Sequence, residues 1–174
     1  ISTTGDAISF GSLAAASWIG GGVSSRTRGV VAGGRTIDTI QVFTIASTGS
    51  ASDSGGNLVA TNQREGFATA SDSTRGLFAG GGSHPFSGGV INTISYVTIA
   101  SLGNTVDFGD LTVARREISG VSNSTRGVFL GAFFSPNSGN TIDFVTISTQ
   151  GNATDFGDLL AATNLGRTGL SNSI

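Results

Sequence analysis

The stretch "STRGVF" at residues 124–129 decides the fold of this chain, because it and two near-copies of it recur along the chain. It returns as "STRGLF" at 73–78 and, with two substitutions, as "RTRGVV" at 26–31. Such a period of about 50 residues, with four strands per repeat, is the pattern of β-propeller blades. The arginines of the three copies, which are 47 and 51 residues apart, are Arg28, Arg75 and Arg126.

Each repeat contains four short segments that have the composition of β-strands, and we call them A, B, C and D. Segment A is rich in small residues, B is the recurring phrase with its trailing glycines, C is β-branched and aromatic, and D centres on "DFG" or a variant of it. The order along the chain is D, ABCD, ABCD, ABCD, A, which predicts fourteen strands. The C segments lie at 36–47, 92–101 and 140–149; the D segments at 5–13, 49–58, 103–111 and 151–159; and the A segments at 18–25, 67–73, 118–124 and 167–173.

The side chains of these segments predict how the repeats pack. Small residues in A suit a crowded innermost strand near a propeller axis. The apolar pairs of B, such as Leu77-Phe78, predict contacts with the neighbouring blades on both sides. Bulky residues on both faces of C, such as Phe144 and Val145, predict a strand that is buried on both sides, and D is expected to be the outer strand.

We therefore predict an all-β fold, a β-propeller of four-stranded antiparallel blades. The alternatives are a β-solenoid and a trimeric β-fibre, and the number of blades that would close a ring stays open. The chain is assigned as one repeat domain over residues 1–174, which we expect to be a processed product or a piece of a longer protein. It has a partial unit at 1–25 and units at 26–73, 74–124 and 125–174, the last ending in the first strand of a further blade.

Composition argues against several classes of function. The net charge is −2, lysine is absent and the nine arginines are scattered, so we expect no nucleic-acid partner. The absence of cysteine predicts no disulfide framework and no thiolate metal site. No apolar run approaches the ~20 residues of a membrane span, so no membrane insertion is expected. We also expect no cofactor and no metal.

Two resemblances follow from the repeat. A glycine doublet after B, an aromatic in C (Phe43, Tyr96 and Phe144) and an aromatic in D (Phe108 and Phe156, with Ser54 in the first unit) resemble the kelch propeller repeat. The longer wording "STRGVF…NTIDFVTIST…GNATDFGDL" is similar to repeats of tail and fibre-associated structural proteins of marine bacteriophages, especially those of cyanobacteria. This resemblance implies a virion or extracellular location, with other virion or fibre chains as partners and a possible homo-oligomer.

The repeats differ mainly in the connection between B and C, which is longer in the second and third units. Length variation in a repeat array maps to loops on one face, which is often the binding face. Aromatic and polar loop residues suit stacking on a sugar or docking on a protein, although the same phenylalanines could instead pack under their own loops. The candidate ligand-binding residues are His84, Phe86, Phe133, Phe134 and Asn137.

The recurring charged residues are interpreted as structural. We expect Arg28, Arg75 and Arg126 to pair with a repeated acid, such as Asp38, Asp107, Asp143 or Asp155, and so to tie blade to blade. In "DFG", Asp107 and Asp155 are expected to bond nearby backbone amides in a strand turn. Glu65 and Glu117 are expected to form a solvated rim with Arg64, Arg115 and Arg116.

No set of residues in the sequence identifies a chemistry, and we assign no catalytic residue. The favoured function is a non-enzymatic structural or receptor-binding module of a phage tail or similar extracellular fibre. It would present its B–C loops to a cell-surface glycan or to a protein. The alternatives are a propeller glycan hydrolase or lyase, which would need two convergent carboxylates or a His–carboxylate site, and a fibre subunit that only assembles.

Overall fold

The computed structural model describes residues 6–18, 20–58, 64–83, 89–132 and 139–162. Fourteen β-strands lie within these ranges. They are β1 (Gly21–Ser24), β2 (Arg28–Ala32), β3 (Thr39–Thr44), β4 (Ser52–Asn57), β5 (Arg64–Glu65), β6 (Ala68–Ser71), β7 (Arg75–Ala79), β8 (Gly82–Ser83), β9 (Thr93–Thr98), β10 (Val106–Asp110), β11 (Ser119–Ser122), β12 (Arg126–Leu130), β13 (Thr141–Thr146) and β14 (Thr154–Asp158).

Twelve of the strands form three four-stranded antiparallel sheets. Sheet I is β1-β2-β3-β4, sheet II is β6-β7-β9-β10 and sheet III is β11-β12-β13-β14. In each sheet the strands are the A, B, C and D segments in that order, so the predicted all-β fold of repeated four-stranded units is confirmed. The unit boundaries that we drew at residues 26, 74 and 125 all fall in the turn between the first two strands of a sheet.

The recurring phrase begins with a side chain that builds the A–B turn. Asp72 Oδ1 accepts hydrogen bonds from the backbone N–H of Thr74 and of Arg75, both at 2.7 Å. Asn123 does the same for the next two equivalent amides, at 2.8 and 2.7 Å. In the first unit Ser25 Oγ takes this place at longer distances. An oxygen at this position imitates a backbone turn, which explains why Asp, Asn or Ser precedes each copy.

Two hydrophobic cores lie between the sheets. One contains Val23, Val30, Phe78 and Val97 and joins sheets I and II. The other contains Leu77, Phe108, Phe129 and Val145 and joins sheets II and III. Leu77 and Phe78 therefore point to opposite neighbours. This confirms the prediction for segment B, and it follows from the two-residue period of a strand.

The side chains of the A strands are small because neighbouring A strands lie against each other. Ser71 N donates to Ser122 Oγ at 3.1 Å, and that hydroxyl donates back to Ser71 O at 2.9 Å. A side chain at Gly120 would collide with the backbone of Thr69. A Cβ at Gly127, the second residue of β12, would lie 2.9 Å from that of Ala70. Glycine is thus required by the close approach of neighbouring strands.

The D strand carries a bulge at the recurring aromatic. Asp107 pairs with Ser95 and Gly109 pairs with Ile94, so Phe108 is left unpaired between them. The bulge lets Phe108 pack edge-on against Tyr96, with ring centroids 5.9 Å apart. Phe156 makes the same contact with Phe144 in sheet III, also at 5.9 Å.

Two alignments of the first unit were wrong. Phe43 pairs with Gly29, whereas Tyr96 pairs with Leu77. Phe43 is therefore one position out of phase with Tyr96 and points to the opposite face of its sheet. The bulge of sheet I also spans one residue more than the others, so that Ser54 shares the place of the aromatic with Gly55.

Among the described residues, two further departures from the expected fourteen strands are found. Residues 6–13, which we expected to be a D strand, form no strand, although they hydrogen-bond to the C–D turn of sheet I. The short strands β5 and β8 pair with each other, and the sequence predicted neither of them. The final A segment at 167–173 lies outside the described residues.

Candidate functional site

All three B–C connections leave the sheets at the same edge. In a meander of four antiparallel strands, B ends where C begins, and D ends where the next A begins. The B–C connections and the D–A linkers therefore share one edge of the array, which we call the loop edge. His84, Phe86, Phe133, Phe134 and Asn137 belong to these connections but lie outside the described residues.

Trp18 is an exposed aromatic side chain at the loop edge, and sequence reasoning did not select it. It lies in the linker that enters β1, and 68% of its surface is exposed. The guanidinium of Arg35, from the B–C connection of the same unit, lies 5.2 Å from the centre of its ring. Arg35 N also donates to Trp18 O at 2.8 Å. The sequence signal was present, since the tryptophan replaces charged residues, Glu65 and Arg116, at the equivalent places of the other linkers.

Arg28, Arg75 and Arg126 start the B strands and make their contacts with carbonyl oxygens and rings. Arg28 Nη1 donates to the carbonyls of Ile99, at 3.2 Å, and Ala100, at 2.6 Å, in the neighbouring sheet. Arg75 Nη1 donates to Ile147 O at 2.9 Å. The acid partners that we expected are replaced here by the ends of the neighbouring C strands. Within their own sheets, Arg75 stacks on Tyr96 at 5.0 Å and Arg126 stacks on Phe144 at 4.9 Å.

The aspartates of "DFG" lie on the D strands. Asp155 Oδ1 accepts a hydrogen bond from Gly157 N at 2.9 Å, across the bulge. Asp107 contributes its backbone carbonyl, which accepts from Gln150 Nε2 at 2.8 Å in the next sheet. The Asp155 contact stabilises the bulge of β14, and the Asp107 contact joins β10 to the next sheet.

Arg64 is fully buried, so the expected solvated rim is wrong. It donates to Gly80 O at 2.6 Å, Phe78 O at 2.9 Å, Thr93 O at 2.6 Å and Ser95 Oγ at 2.9 Å. Burial lowers the pKa of Arg64 to about 9, so the guanidinium keeps its charge at neutral pH. Glu65 and Arg115 are also fully buried and Arg116 is nearly so. The rim was expected because charged residues are mostly exposed unless they are paired.

Arg115 is the equivalent of Arg64 in the next linker, and its partner is a carboxylate. Its Nη1 lies 3.0 Å from Asp143 Oδ2, and neither side chain is exposed. Burial lowers the pKa of Arg115, while the charge of Asp143 and its hydrogen bond oppose this shift. Asp143 also accepts from Thr112 Oγ1 at 2.7 Å and from Thr112 N at 3.2 Å.

The third residue of each C strand is polar and buried, and it changes with its linker. Ser95 and Asp143 face Arg64 and Arg115 respectively. Gln41 faces a linker without arginine and bonds instead to the backbone of Ala15, at 3.0 and 3.1 Å. Ser17, at the place of the arginine, hydrogen-bonds to Gly33 O. Each buried polar side chain is thus used to fasten a linker beneath its sheet.

A groove of about 340 Å³ runs along the three A strands. Its lining residues include Gly22, Ala70 and Gly120, and hydroxyls from all three strands. Among the described residues that line it, none is acidic and none is histidine. The hydroxyls belong to Ser24, Thr69, Ser71 and Ser122, and two of them already bond to a neighbouring strand, since Ser71 Oγ accepts from Ser24 N and Ser122 Oγ bonds to the backbone of Ser71.

Within the described ranges, no cluster of three or more His, Cys, Asp or Glu side chains has the arrangement to hold a metal ion. The same part of the chain holds no helix long and apolar enough to cross a membrane. No protein-family model matches the sequence. Comparison with curated proteins gives no significant match either.

Proposed function

We propose that this chain is a non-enzymatic repeat module of a phage tail or similar extracellular fibre, which presents its loop edge to a surface glycan or protein. The observation that carries the proposal is that buried polar groups have structural roles, whereas the connections that vary lie together at the loop edge. Buried polar groups, such as Arg64, Arg115 and Asp143, are used to fasten linkers and sheets. The connections that vary in length share one edge.

The groove along the A strands supports binding rather than hydrolysis. Its lining consists of glycine backbone, aliphatic side chains, the ring of Phe43 and hydroxyls. Such groups pack and donate hydrogen bonds, whereas glycoside hydrolysis needs an acid and a base on opposite sides of the bond. The groove therefore supports the scaffold role over the alternative of a glycan hydrolase or lyase.

A saccharide suits the chemistry of the loop edge. Trp18 offers an aromatic ring that is largely open to solvent, with the guanidinium of Arg35 5.2 Å from its centre. An exposed aromatic ring matches a sugar, which has an apolar face that can stack on it. The virion and fibre setting comes from the repeat wording, which is similar to that of phage tail and fibre proteins.

A glycan array probed with the 174-residue chain tests the proposal. The comparison uses wild type, Trp18→Ala and a Phe133→Ala/Phe134→Ala double variant. We expect a subset of glycans to bind wild type and to lose affinity by roughly fivefold or more in at least one variant, because a lost stacking contact is worth about 1 kcal/mol.

Val106→Ala is the matched control, because Val106 is also an exposed apolar residue but begins a D strand at the opposite edge. It should bind as wild type does. Wild type that binds no glycan, or equal binding by all the variants, would contradict recognition of a glycan through this edge.

A further inference from the structure

The outward face of sheet III is the structural equivalent of a face that is covered in sheet II, with Ser119, Val121 and Leu130 in the places of three alanines. Phe108 in β10 is 3% exposed because sheet III packs over it, whereas its equivalent Phe156 in β14 is 58% exposed. Ile94 in β9 is fully buried, and its equivalent Ile142 is only half-buried. The joint between sheets II and III therefore shows what kind of surface fits on sheet III.

That joint is built from one D strand and the following C–D turn. Asp110 N donates to Asn152 Oδ1 at 3.0 Å, and Ala153 N donates back to Asp110 O at 2.7 Å. Gly151 N donates to Phe108 O at 2.8 Å. The joint between sheets I and II repeats the first two bonds, since Asn57 N donates to Asn104 Oδ1 at 3.0 Å and Thr105 N donates to Asn57 O, also at 3.0 Å.

The C–D turn of sheet I is a third copy of the turn that receives a D strand in these joints. We call its residues 49–51 the socket. It holds residues 10–13, which carry the D phrase. Gly49 N donates to Phe10 O and Ala51 N donates to Ser12 O, both at 2.8 Å, and Ser12 N donates to Ser50 Oγ at 3.2 Å. Residues 6–13 do not form a β-strand, and Phe10 and Leu13 stay 40% and 43% exposed.

A second contact between neighbouring sheets joins an arginine to an isoleucine carbonyl. At the two ends of the array the equivalent arginine and isoleucine are exposed. Arg28 and Arg75 each donate to an isoleucine carbonyl of the following sheet, Ile99 and Ile147 respectively. Both of those isoleucines are buried, at 1% and 0% exposure. At the two ends, Arg126 is exposed on sheet III, and the equivalent isoleucine of sheet I, Ile45, is 41% exposed.

We propose that the outward face of sheet III docks onto sheet I of a second copy of this chain. Strand β14 of the first copy then occupies the socket of the second and displaces residues 10–13, which carry the same phrase. The occupant is a second copy because one chain carries both halves of the joint, the D strand with its arginine at one end and the socket with its isoleucine at the other. Such a contact joins two different surfaces, so it builds a ring if the rotation closes and a filament if it does not.

A glycine substitution on β14 tests the docking. A Cβ at Gly157 meets nothing within 4 Å in the single chain, but one at Gly109, its equivalent in a covered joint, would lie 2.5 Å from the carbonyl carbon of Gly151. Sedimentation velocity should show concentration-dependent association of wild type up to about 100 µM and a dissociation constant more than about tenfold weaker in Gly157→Ala. The control is Gly89→Ala, which also has positive φ and open space around it but lies in a B–C connection, and it should associate as wild type does.

Disulfide trapping tests the direction of the contact, and the absence of native cysteine makes it clean. Asp158 is the equivalent of Asp110, whose amide reaches the residue equivalent to Ser50 in the next sheet. Mixing an Asp158→Cys chain with a Ser50→Cys chain under oxidising conditions should give a mixed disulfide dimer in excess of either homodimer. Wild type that remains monomeric, association that Gly157→Ala does not weaken, or homodimers in equal yield would each overturn the proposal.

Discussion

A buried arginine and the residue facing it form the most informative pair in sheets II and III. Arg64 is satisfied by three carbonyls and the hydroxyl of Ser95, whereas Arg115 faces the carboxylate of Asp143. The two solutions differ in charge. The Arg64 site holds an uncompensated guanidinium whose pKa is lowered by burial, and the Arg115 site holds an ion pair. Removing one member of such a pair leaves the other buried without its partner.

We therefore expect Asp143→Ala to lower the free energy of unfolding by about 3 to 5 kcal/mol, since it leaves the charge of Arg115 uncompensated. Asp155→Ala is the matched control, because Asp155 pairs with Asp143 across the sheet but is exposed. It removes one hydrogen bond and should cost about 1 kcal/mol or less. Urea unfolding of both variants measures the difference, and equal losses would show that Asp143 does not hold Arg115 in place.

Sequence patterns predicted the repeated arginines but not their partners. Arg28 and Arg75 donate to the backbone carbonyls of Ile99 and Ile147, and a backbone acceptor cannot be recognised from the type of residue that carries it. The burial of Arg64 was equally invisible, because the carbonyls that accept its hydrogen bonds come together only once the sheet has formed. Trp18 was overlooked because it was read as part of the small-residue segment that precedes β1.

The D strands join the units, and glycine makes this possible. Gly56 and Gly109 each pass directly over a glycine carbonyl of the next C–D turn. Gly109 has a φ of 146° and Gly157 has a φ of 136°, so the two glycines have nearly the same backbone conformation. They differ in their surroundings, because Gly109 lies inside a joint and Gly157 lies at the end of the described array.

This pair of glycines separates the clash from backbone strain. Gly157→Ala should lower the free energy of unfolding of the monomer only by the strain of its φ, about 1 kcal/mol. Gly109→Ala should lower the free energy of unfolding by the same strain and by a further ~1 to 3 kcal/mol, because a methyl group is forced against the backbone of the next turn. Thermal or urea unfolding at low protein concentration checks this, and equal losses would mean that D does not join the sheets.

Strand order was predictable because the period of the hydrophobic pattern and the turn residues recur. Asp72 and Asn123 mark two of the A–B turns, and the apolar alternation of B marks its two faces. The short pair β5–β8 was missed because two-residue strands leave no periodic pattern to read. The phase of Phe43 was misjudged because aromatic identity was matched in place of the register, which pairs it with Gly29.

At the scale of the whole molecule, each described sheet is stabilised by its neighbours. Within the described part of the chain, only sheet II has a core on both sides, one shared with sheet I and one with sheet III. In such a linear array, stability is approximately a sum of unit and nearest-neighbour terms, so the ends are expected to open more readily than the middle. Wrapping of these units into a closed ring or stacking into a filament would change only the two outer faces.

Residue-resolved amide hydrogen exchange of the monomer tests the central claim, that three copies of one module are joined through their faces. We predict the same order of protection in each unit, with B and C amides slowest. Strands β7 and β9 should exchange more slowly than their equivalents in sheets I and III, because only they are covered on both sides. Slow amides at non-equivalent positions of the three units, or slower exchange in either outer sheet than in sheet II, would contradict the account.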